Sequence, residues 1–138
     1  MKYVLDTNAV SALMKGDEVV IGRLKKVSKS DVYVPQPVLA EIAYGIERLP
    51  KSKRRESLQE RFDLVRSEIQ RIGWSDEVSD RFGSIKAMLE KKGQRIEDFD
   101  AAIAAHAAAP GVTLVTANTD DMVRVPGLLI EDWSARSS

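Results

Sequence analysis

The sequence contains no cysteine and one histidine, His106. The absence of cysteine excludes disulfide bonds, thiol nucleophiles and zinc sites with cysteine ligands. A single histidine excludes histidine-rich metal sites and a two-histidine ribonuclease mechanism. His106 lies six residues after Asp100, about 240° around a helix, so the two side chains do not share a face. We therefore expect His106 to be a structural residue that makes one hydrogen bond in or near the core. The carboxylates remain as the candidates for catalytic or metal-binding groups.

Long apolar runs are also missing. No segment approaches the roughly 20 apolar residues that span a bilayer, and residues 1–8 lack a signal-peptide pattern. The 138 residues, 43% hydrophobic and 30% charged, are typical of one globular domain. We expect a single domain over residues 1–133, a loose tail over 134–138, a cytoplasmic location and no membrane partner.

Charge of one sign does not dominate, because the net charge is zero, but its distribution along the chain is uneven. Residues 48–71 carry a net charge of +4, whereas the chain from residue 96 onward carries −5. A basic middle and an acidic end would suit a polyanion held beside a cation-binding pocket. The alternative is that the basic run is only a solvated helix face.

Short apolar runs alternate with amphipathic segments along the whole chain. Strands are predicted at residues 2–5, 31–34, 69–74, 112–115 and 128–130. Helices are predicted at residues 9–15, 17–27, 37–49, 51–66, 76–92 and 101–109. This alternation predicts an α/β domain whose mainly parallel sheet of four or five strands is covered on both faces. Pro126 makes the last strand an edge strand.

Acidic side chains lie at the ends of these strands or in the helices next to them: Asp6, Glu41, Asp98, Asp100 and Asp121. Parallel sheets bind ligands at the carboxyl ends of their strands. Each acid also has a structural alternative, since Asp6 is placed to cap the first helix and Glu41 to form a salt bridge. Residue patterns alone leave Asp98 and Asp100 equally good candidates, with Asp98 also suited to the helix N-cap.

Converging carboxylates without bases between them would repel one another unless a divalent cation neutralised them. Oxygen ligands of this kind select Mg²⁺ or Mn²⁺. Such an ion lowers the pKa of water and stabilises charge on a leaving oxygen, which is the chemistry of phosphodiester hydrolysis. Thr116 and Asn118 are placed to hydrogen-bond these carboxylates. The aromatic positions 44, 62, 82 and 99 are expected to pack in the core or an interface, not to stack on bases.

Four segments carry a family resemblance. They are Val4-Leu5-Asp6-Thr7-Asn8, Ala40-Glu41-Ile42-Ala43-Tyr44-Gly45, Asp100-Ala101-Ala102-Ile103-Ala104-Ala105, and Leu114-Val115-Thr116-Ala117-Asn118 followed by Arg124-Val125-Pro126-Gly127. In this order, and over nearly the whole chain, they resemble the PIN-domain ribonucleases, and most of all the VapC toxins of VapBC toxin–antitoxin modules. The resemblance implies a PIN-like three-layer α/β/α sandwich.

The resemblance also implies an activity and a set of site residues. It implies a Mg²⁺-dependent endoribonuclease, with Mn²⁺ able to substitute, that cleaves structured RNA of the tRNA or rRNA class. The catalytic, metal-binding acids would be Asp6, Glu41 and Asp100, with Asn118 and Asp121 at a variable fourth corner. Supporting residues would be Thr7, Asn8, Thr116 and Asp98, and RNA contacts would come from Arg48, Lys91, Lys92 and Arg95.

The implied partners are a VapB-type antitoxin and a second copy of the chain, with DNA contacted only through the antitoxin. The sequence departs from the fullest family pattern where Asn118 replaces an acid and Met122 a common aromatic, which places a second metal ion in doubt. Two other functions remain open, a catalytically silent PIN-like interaction module and an Asp-based phosphotransfer domain. Against the latter, Asn8 replaces the second aspartate of the phosphatase pattern, and residues 116–123 contain no lysine.

Overall fold

A computed structural model describes residues 1–135 of the protein. The predicted loose tail falls largely outside this range, since 136–138 lie outside the described residues. Ser134 and Ala135 are exposed, and the Ser134 backbone donates to the Asp132 carboxylate. Trp133, just before them, is buried, and its indole N–H donates to Glu131 over 3.1 Å.

Five short strands form one parallel sheet in the order β3-β2-β1-β4-β5. The strands are β1 Tyr3–Leu5, β2 Val32–Pro35, β3 Gln70–Ile72, β4 Thr113–Val115 and β5 Leu129–Glu131. β4 is buried at all three positions and β1 at its last two. Because alternate side chains of a strand point to opposite faces, burial at consecutive positions means that both faces of these inner strands are covered.

Seven helices connect the strands in the described range. They are α1 Thr7–Met14, α2 Glu18–Lys25, α3 Gln36–Glu47, α4 Lys53–Glu68, α5 Asp76–Lys91, α6 Asp98–Ala108 and α7 Thr119–Met122. α1 contacts α2, α3 and α4, whereas α5 packs along α6. Right-handed crossovers account for this division of the helices into α1–α4 and α5–α6. The chain moves outward from β1 to β3 through the first set, and returns past β1 to β4 through the second. Within the part of the chain that the structure covers, no helix has the length and hydropathy needed to cross a bilayer.

The order of the strands reverses between β1 and β4. Consecutive strands build outward from β1 through β2 to β3, and the chain then adds β4 and β5 on the other side of β1. At such a reversal the connections leave the two neighbouring strands toward opposite faces of the sheet, which opens a crevice at their carboxyl ends. Asp6 and Thr116 follow these two strands directly, so local sequence places both residues at this crevice.

Helix starts and stops follow local chemistry. The side chains of Asp6, Asp17, Ser52 and Ser75 accept backbone N–H groups at the first turns of α1, α2, α4 and α5. α6 contains almost only alanine and isoleucine after its first turn, and residues 101–107 are all buried. Gly111, at a φ of 72°, turns the chain from α6 toward β4.

The predicted fold class is confirmed, with five strands, and the predicted last strand is an edge strand. Boundaries differ by a few residues, and a 3-10 turn at Lys29–Asp31 precedes β2. The prediction missed α7, because a four-residue polar helix shows no apolar periodicity. Asp98 is not the N-cap of α6. Glu97 occupies the cap position, and Asp98 is the first helical residue.

Candidate metal centre

Asp6 lies at the end of β1 and is only 5% exposed. Its Oδ1 accepts the Ala9 backbone N–H over 2.8 Å, so Asp6, and neither Thr7 nor Asn8, caps α1. Burial raises the pKa of the Asp6 carboxyl, hydrogen bonds from the Thr116 hydroxyl and the Ala9 backbone lower it, and the charge of Glu41 raises it. The capping role predicted as an alternative is therefore real, and it fixes a buried carboxylate in place.

Glu41 projects from the middle of α3 toward the same region. The Thr7 hydroxyl donates to its Oε1 over 2.6 Å, which joins α3 to the first turn of α1 across 34 residues of chain. Salt bridges to Asp6, Glu41 or Asp100 are absent from residues 1–135, so the predicted alternative of an ion pair for Glu41 is not found there. Thr7 therefore holds Glu41 without neutralising it.

Asp100 occupies the first turn of α6 and is partly buried. Burial, followed by the negative charges of Glu41, Asp121, Asp6 and Glu97, raises the pKa of the Asp100 carboxyl from its ordinary 3.8 to about 6. Charge effects of this size fall off within several ångströms in a protein interior. The side chains of β1, α3, α6 and α7 therefore act on one another as a cluster of like charges.

Hydrogen bonds link the end of β4 to α7. The Thr116 hydroxyl, which lowers the pKa of the Asp6 carboxyl, accepts the Asn118 backbone N–H over 2.9 Å. The Asn118 side-chain amide then donates to Asp121 Oδ2 over 3.2 Å. Arg124 contacts the other oxygen of Asp121 at 3.5 Å. Asn118 and Asp121, predicted at a fourth corner of the site, thus contact each other directly.

Asp98 behaves differently from Asp100. Its carboxylate forms a salt bridge of 3.1 Å with Lys86 on α5, and its side chain is 67% exposed. Asp98 does not appear among the charges that raise the pKa of Asp100. Both residues line the same cavity, but Asp100 faces the other acids whereas Asp98 is paired with a base.

An open cavity of about 650 Å³ lies over this cluster. Its lining consists of Glu41, Asp100, Asp121 and the segment from Arg95 to Phe99. Asp6 is too buried to line the cavity, yet its charge acts on Asp100. The acids predicted from separate parts of the chain therefore lie in one region, near the carboxyl ends of β1 and β4.

The donor set fits a hard divalent cation, because it consists of carboxylates with an amide at one corner and contains neither thiolate nor imidazole. Repulsion raises the pKa of Asp100, and a cation is the usual means of relieving it. Among residues 1–135, however, no three acidic or imidazole groups stand close enough to form a ready-made metal cage. The carboxylates share a cavity but do not already converge on one point.

The bases expected to contact RNA are distributed unevenly around this cavity. Arg95 lines it, whereas Lys91 and Lys92 are exposed at the end of α5. Arg48 lies over the ring of Tyr44 at 5.9 Å on the outer part of α3. Several arginines of the basic run make internal contacts instead, such as Arg61 with the Met14 carbonyl and Arg55 with Glu47.

Some residues at the site were not found by sequence reasoning. Arg124 pairs with Asp121, three residues before it, and also donates to the Arg95 carbonyl over 3.3 Å. The spacing of three was a usable signal for the first contact, but the second joins distant segments. Phe99, expected in the core or an interface, is 50% exposed and lines the cavity. Tyr44, expected to pack similarly, is 67% exposed, whereas Phe62 is buried as predicted.

His106, at the other end of α6, is confirmed as a core histidine. It is fully buried, and its Nδ1 lies 2.7 Å from the Ala102 carbonyl. Burial lowers the pKa of its imidazole, which the hydrogen bond to Ala102 partly opposes. Nδ1 therefore carries the hydrogen that is donated to Ala102, and the ring packs edge-on against Trp74 at 5.2 Å.

Comparison with known proteins agrees with this architecture. Residues 3–128 match the PIN domain family. The ribonuclease VapC2 of Rickettsia felis is 36% identical over 135 residues, which cover 96% of this chain and 98% of the relative. The tRNA(fMet)-specific endonuclease VapC of Salmonella typhimurium is 30% identical over 133 residues, with 96% and 98% covered.

Solved structures of related proteins have a similar fold. The chain superposes with a TM-score of 0.86 and 32% identity on a crystal structure of VapBC2 from Rickettsia felis bound to a promoter DNA fragment, covering 96% of this chain and 99% of that one. DNA-bound VapBC from Salmonella typhimurium also gives a TM-score of 0.86, at 28% identity with 96% and 98% covered.

The fold and the family match define a PIN-domain protein, and the chain belongs to that family. Within it, the relatives and solved structures place the chain among the VapC ribonucleases of VapBC toxin–antitoxin systems, which are enzymes.

Proposed function

We propose that this protein is a Mg²⁺-dependent endoribonuclease toxin that hydrolyses phosphodiester bonds in structured RNA. The observation that supports the proposal is that Glu41, Asp100 and Asp121 line one cavity while neither Glu41 nor Asp100 is paired with a base in residues 1–135. Burial, followed by the charges of the neighbouring acids, raises the pKa of Asp100 in agreement with this arrangement. Such clustering is costly for stability and is found where a site is organised for a charged ligand. Mn²⁺ would serve in place of Mg²⁺.

The residues proposed to hold the ion are Asp6, Glu41 and Asp100, with Asn118 and Asp121 at the fourth corner. A divalent cation bound there would supply Lewis acidity that activates water and offsets charge on the phosphate. The chain supplies the positioning. The Thr7 hydroxyl orients Glu41, and the helix cap together with Thr116 fixes Asp6.

The neighbouring side chains suit an RNA backbone. Arg95 lines the cavity and is placed to contact a phosphate next to the one that reacts. Asn118 and Arg124 each contact a different carboxylate oxygen of Asp121. We propose supporting roles for Thr7, Thr116 and Asn8. Asp98, which is paired with Lys86, is not proposed as a ligand of the ion. Arg48, Lys91 and Lys92 would extend the basic surface.

The substrate class is proposed to be tRNA. Two relatives that are 30% identical to this chain are named as tRNA(fMet)-specific endonucleases. Initiator tRNA is therefore the first RNA to test, with ribosomal RNA as the second. Because both occur in the cytoplasm, the proposal places the protein there.

The proposed partners are a VapB-type antitoxin that neutralises the enzyme and a second copy of the chain. The solved structures of the relatives contain toxin, antitoxin and DNA together. DNA would be contacted only through the antitoxin. For the homodimer, exposed Tyr44 on α3 and Met88 on α5 are the apolar side chains that we would expect to be covered.

The test compares Asp100→Asn with Asp98→Asn, two changes of the same kind two residues apart. Cleavage of initiator tRNA and of total RNA is measured in Mg²⁺, with purified protein, by mapping the RNA ends. We expect Asp100→Asn to lower cleavage by about 100-fold or more, because it removes a proposed ligand. Asp98→Asn should stay within about threefold of the wild type.

Equal activity of the wild type and Asp100→Asn would contradict the proposal. A wild-type protein that binds no Mn²⁺ at millimolar concentration and cleaves no RNA would instead support a catalytically silent PIN-like module. Trapping of an acyl phosphate on Asp6 would support phosphotransfer.

A further inference from the structure

Phe99 is an exposed aromatic side chain in an acidic surrounding. It lies between Asp98 and Asp100 in the first turn of α6 and is 50% exposed, whereas residues 101–107 of the same helix are buried. The core therefore does not explain this phenylalanine. Leaving half of such a ring in water forgoes the free energy that burial would give, so a ligand that covers it would gain from the contact.

The cavity that Phe99 lines has the size and chemistry of a nucleotide site. Its volume of about 650 Å³ lies within the range that holds small organic ligands. Its lining combines five carboxylates with Arg95 and Phe99. Because Asp100 and Phe99 line the same cavity, a base that flanks a phosphate held beside Asp100 would share this space with the Phe99 ring.

Two contacts hold the segment that presents the ring, and a third holds Arg124, which makes one of them. Arg124 donates to the Arg95 carbonyl over 3.3 Å and pairs with Asp121 at 3.5 Å. Lys86 holds Asp98 at 3.1 Å, next to Phe99 in the chain. A ring presented by a braced segment loses little conformational freedom when it is covered, which favours binding.

We propose that Phe99 is the platform on which a nucleobase adjacent to the scissile phosphate stacks. The proposal rests on the proposed ribonuclease function and deepens it, because it names the substrate feature that the site selects. That feature is an unpaired nucleotide, since a base inside a helix is already stacked and cannot be splayed onto a protein ring. Phe99 is thus a specificity-determining residue.

The first experiment compares Phe99→Ala and Phe99→Trp with the wild type on a cleaved RNA. Leu64→Ala is the matched control, because Leu64 is also exposed, at 60%, and lies on α4. We expect Phe99→Ala to lower kcat/KM by about 5- to 100-fold and Phe99→Trp to retain it. Mn²⁺ affinity should not change in any of the three variants.

The second experiment asks whether Phe99 acts on a base. Single abasic nucleotides are placed on either side of the cleavage site, and each substrate is tested with the wild type and Phe99→Ala. We expect one abasic position at which the wild type loses cleavage and Phe99→Ala loses nothing further. The proposal would be overturned if, at every position, the losses of cleavage caused by the abasic nucleotide and by Phe99→Ala multiplied as independent effects. It would also be overturned if Phe99→Ala cleaved the intact RNA within twofold of the wild-type rate.

The third experiment separates this proposal from the ribonuclease function. Asp100→Asn protein is mixed with a stem-loop RNA that carries 2-aminopurine in its single-stranded loop, and stacking is followed by fluorescence quenching. Quenching that disappears in the Asp100→Asn, Phe99→Ala double variant supports stacking even if the wild type cleaves nothing. Quenching that is equal in both proteins, or a Phe99→Ala change that alters only the oligomeric state, overturns it.

Discussion

Each end of α6 carries a partly or fully buried ionisable group. The two groups differ in the residues that surround them. At the first turn, Asp100 lies near four other acids, and burial together with their charges raises its pKa to about 6. At the last turn, His106 is buried beside Trp74 with one hydrogen bond to its own helix. Burial alone therefore does not indicate a site, whereas burial together with like charges does.

A second contrast lies within the first turn itself. Asp98 and Asp100 are two residues apart, yet one is paired with Lys86 and the other faces Glu41, Asp121 and Asp6. The local sequence is nearly symmetric around Phe99, so the difference comes from the elements that pack on each side. Four predictions test these contrasts. The first concerns Asp6, which caps α1 and is also proposed to hold the cation.

Asp6→Asn is expected to lower RNA cleavage by about 100-fold or more while the thermal stability stays near that of the wild type. Asparagine caps a helix as well as aspartate does, but it removes the charge proposed to hold the cation. Asp6→Ala should also lose about 1 kcal/mol of stability with the cap. Cleavage rates and thermal unfolding of both variants check this. Full activity in Asp6→Asn would mean that Asp6 is only a cap.

His106 is expected to matter for folding and not for catalysis. His106→Ala should cost about 2–4 kcal/mol, because it leaves a cavity beside Trp74. Burial holds the folded imidazole neutral, whereas the unfolded chain takes up a proton near the ordinary pKa of 6.5. Wild-type stability should therefore fall as the pH drops below about 6.5. His106→Leu should lose that component, as measured by denaturant unfolding between pH 5 and pH 8.

The contribution of Asp100 to folding stability should depend on pH in the opposite direction to that of His106. The raised pKa of Asp100 means that the folded protein takes up the Asp100 proton near pH 6, whereas the unfolded chain does so near 3.8. The protonated group thus favours the folded state below 3.8, and that stability is lost as the pH rises through about 6.

Asp100→Asn is accordingly expected to stabilise the metal-free protein at pH 8 by about 1–3 kcal/mol and to have little effect at pH 3.5. Denaturant unfolding in a chelator measures this difference. A variant less stable than the wild type at pH 8 would show that Asp100 is not under repulsion. Addition of Mn²⁺ should stabilise the wild type but not the variant.

The smallest effect is expected at Thr7. Thr7→Val keeps the shape of the side chain but removes the hydroxyl that donates to Glu41. Activity should fall by about 10-fold, as is typical when a group that orients a ligand is lost. Thr7→Ser should remain near the wild type. An equal loss in both variants would mean that packing, and not the hydrogen bond, matters at this position.

Much of the fold was predictable, since apolar runs, proline positions and capping residues give the alternation of strands and helices. The placement of Asp6 and Asp100 at one edge of the sheet was also predictable. Asp6 follows β1, and a helix that leads back into a parallel strand, as α6 leads into β4, begins at the edge where the strands end. Contacts between distant segments were not. Neither the pairing of Lys86 with Asp98 nor the exposure of Phe99 leaves a local pattern, because both depend on how α5 packs against α6.

The most direct test of the central claim is a crystal structure of the protein with Mn²⁺, recorded at a wavelength that reveals the metal. The account predicts an anomalous peak at about 2.1 Å from carboxylate oxygens of at least two of Asp6, Glu41 and Asp100. The peak should be absent in crystals of Asp100→Asn. Crystals in millimolar Mn²⁺ without a peak in this cavity, or with Mn²⁺ bound only elsewhere, would contradict the account.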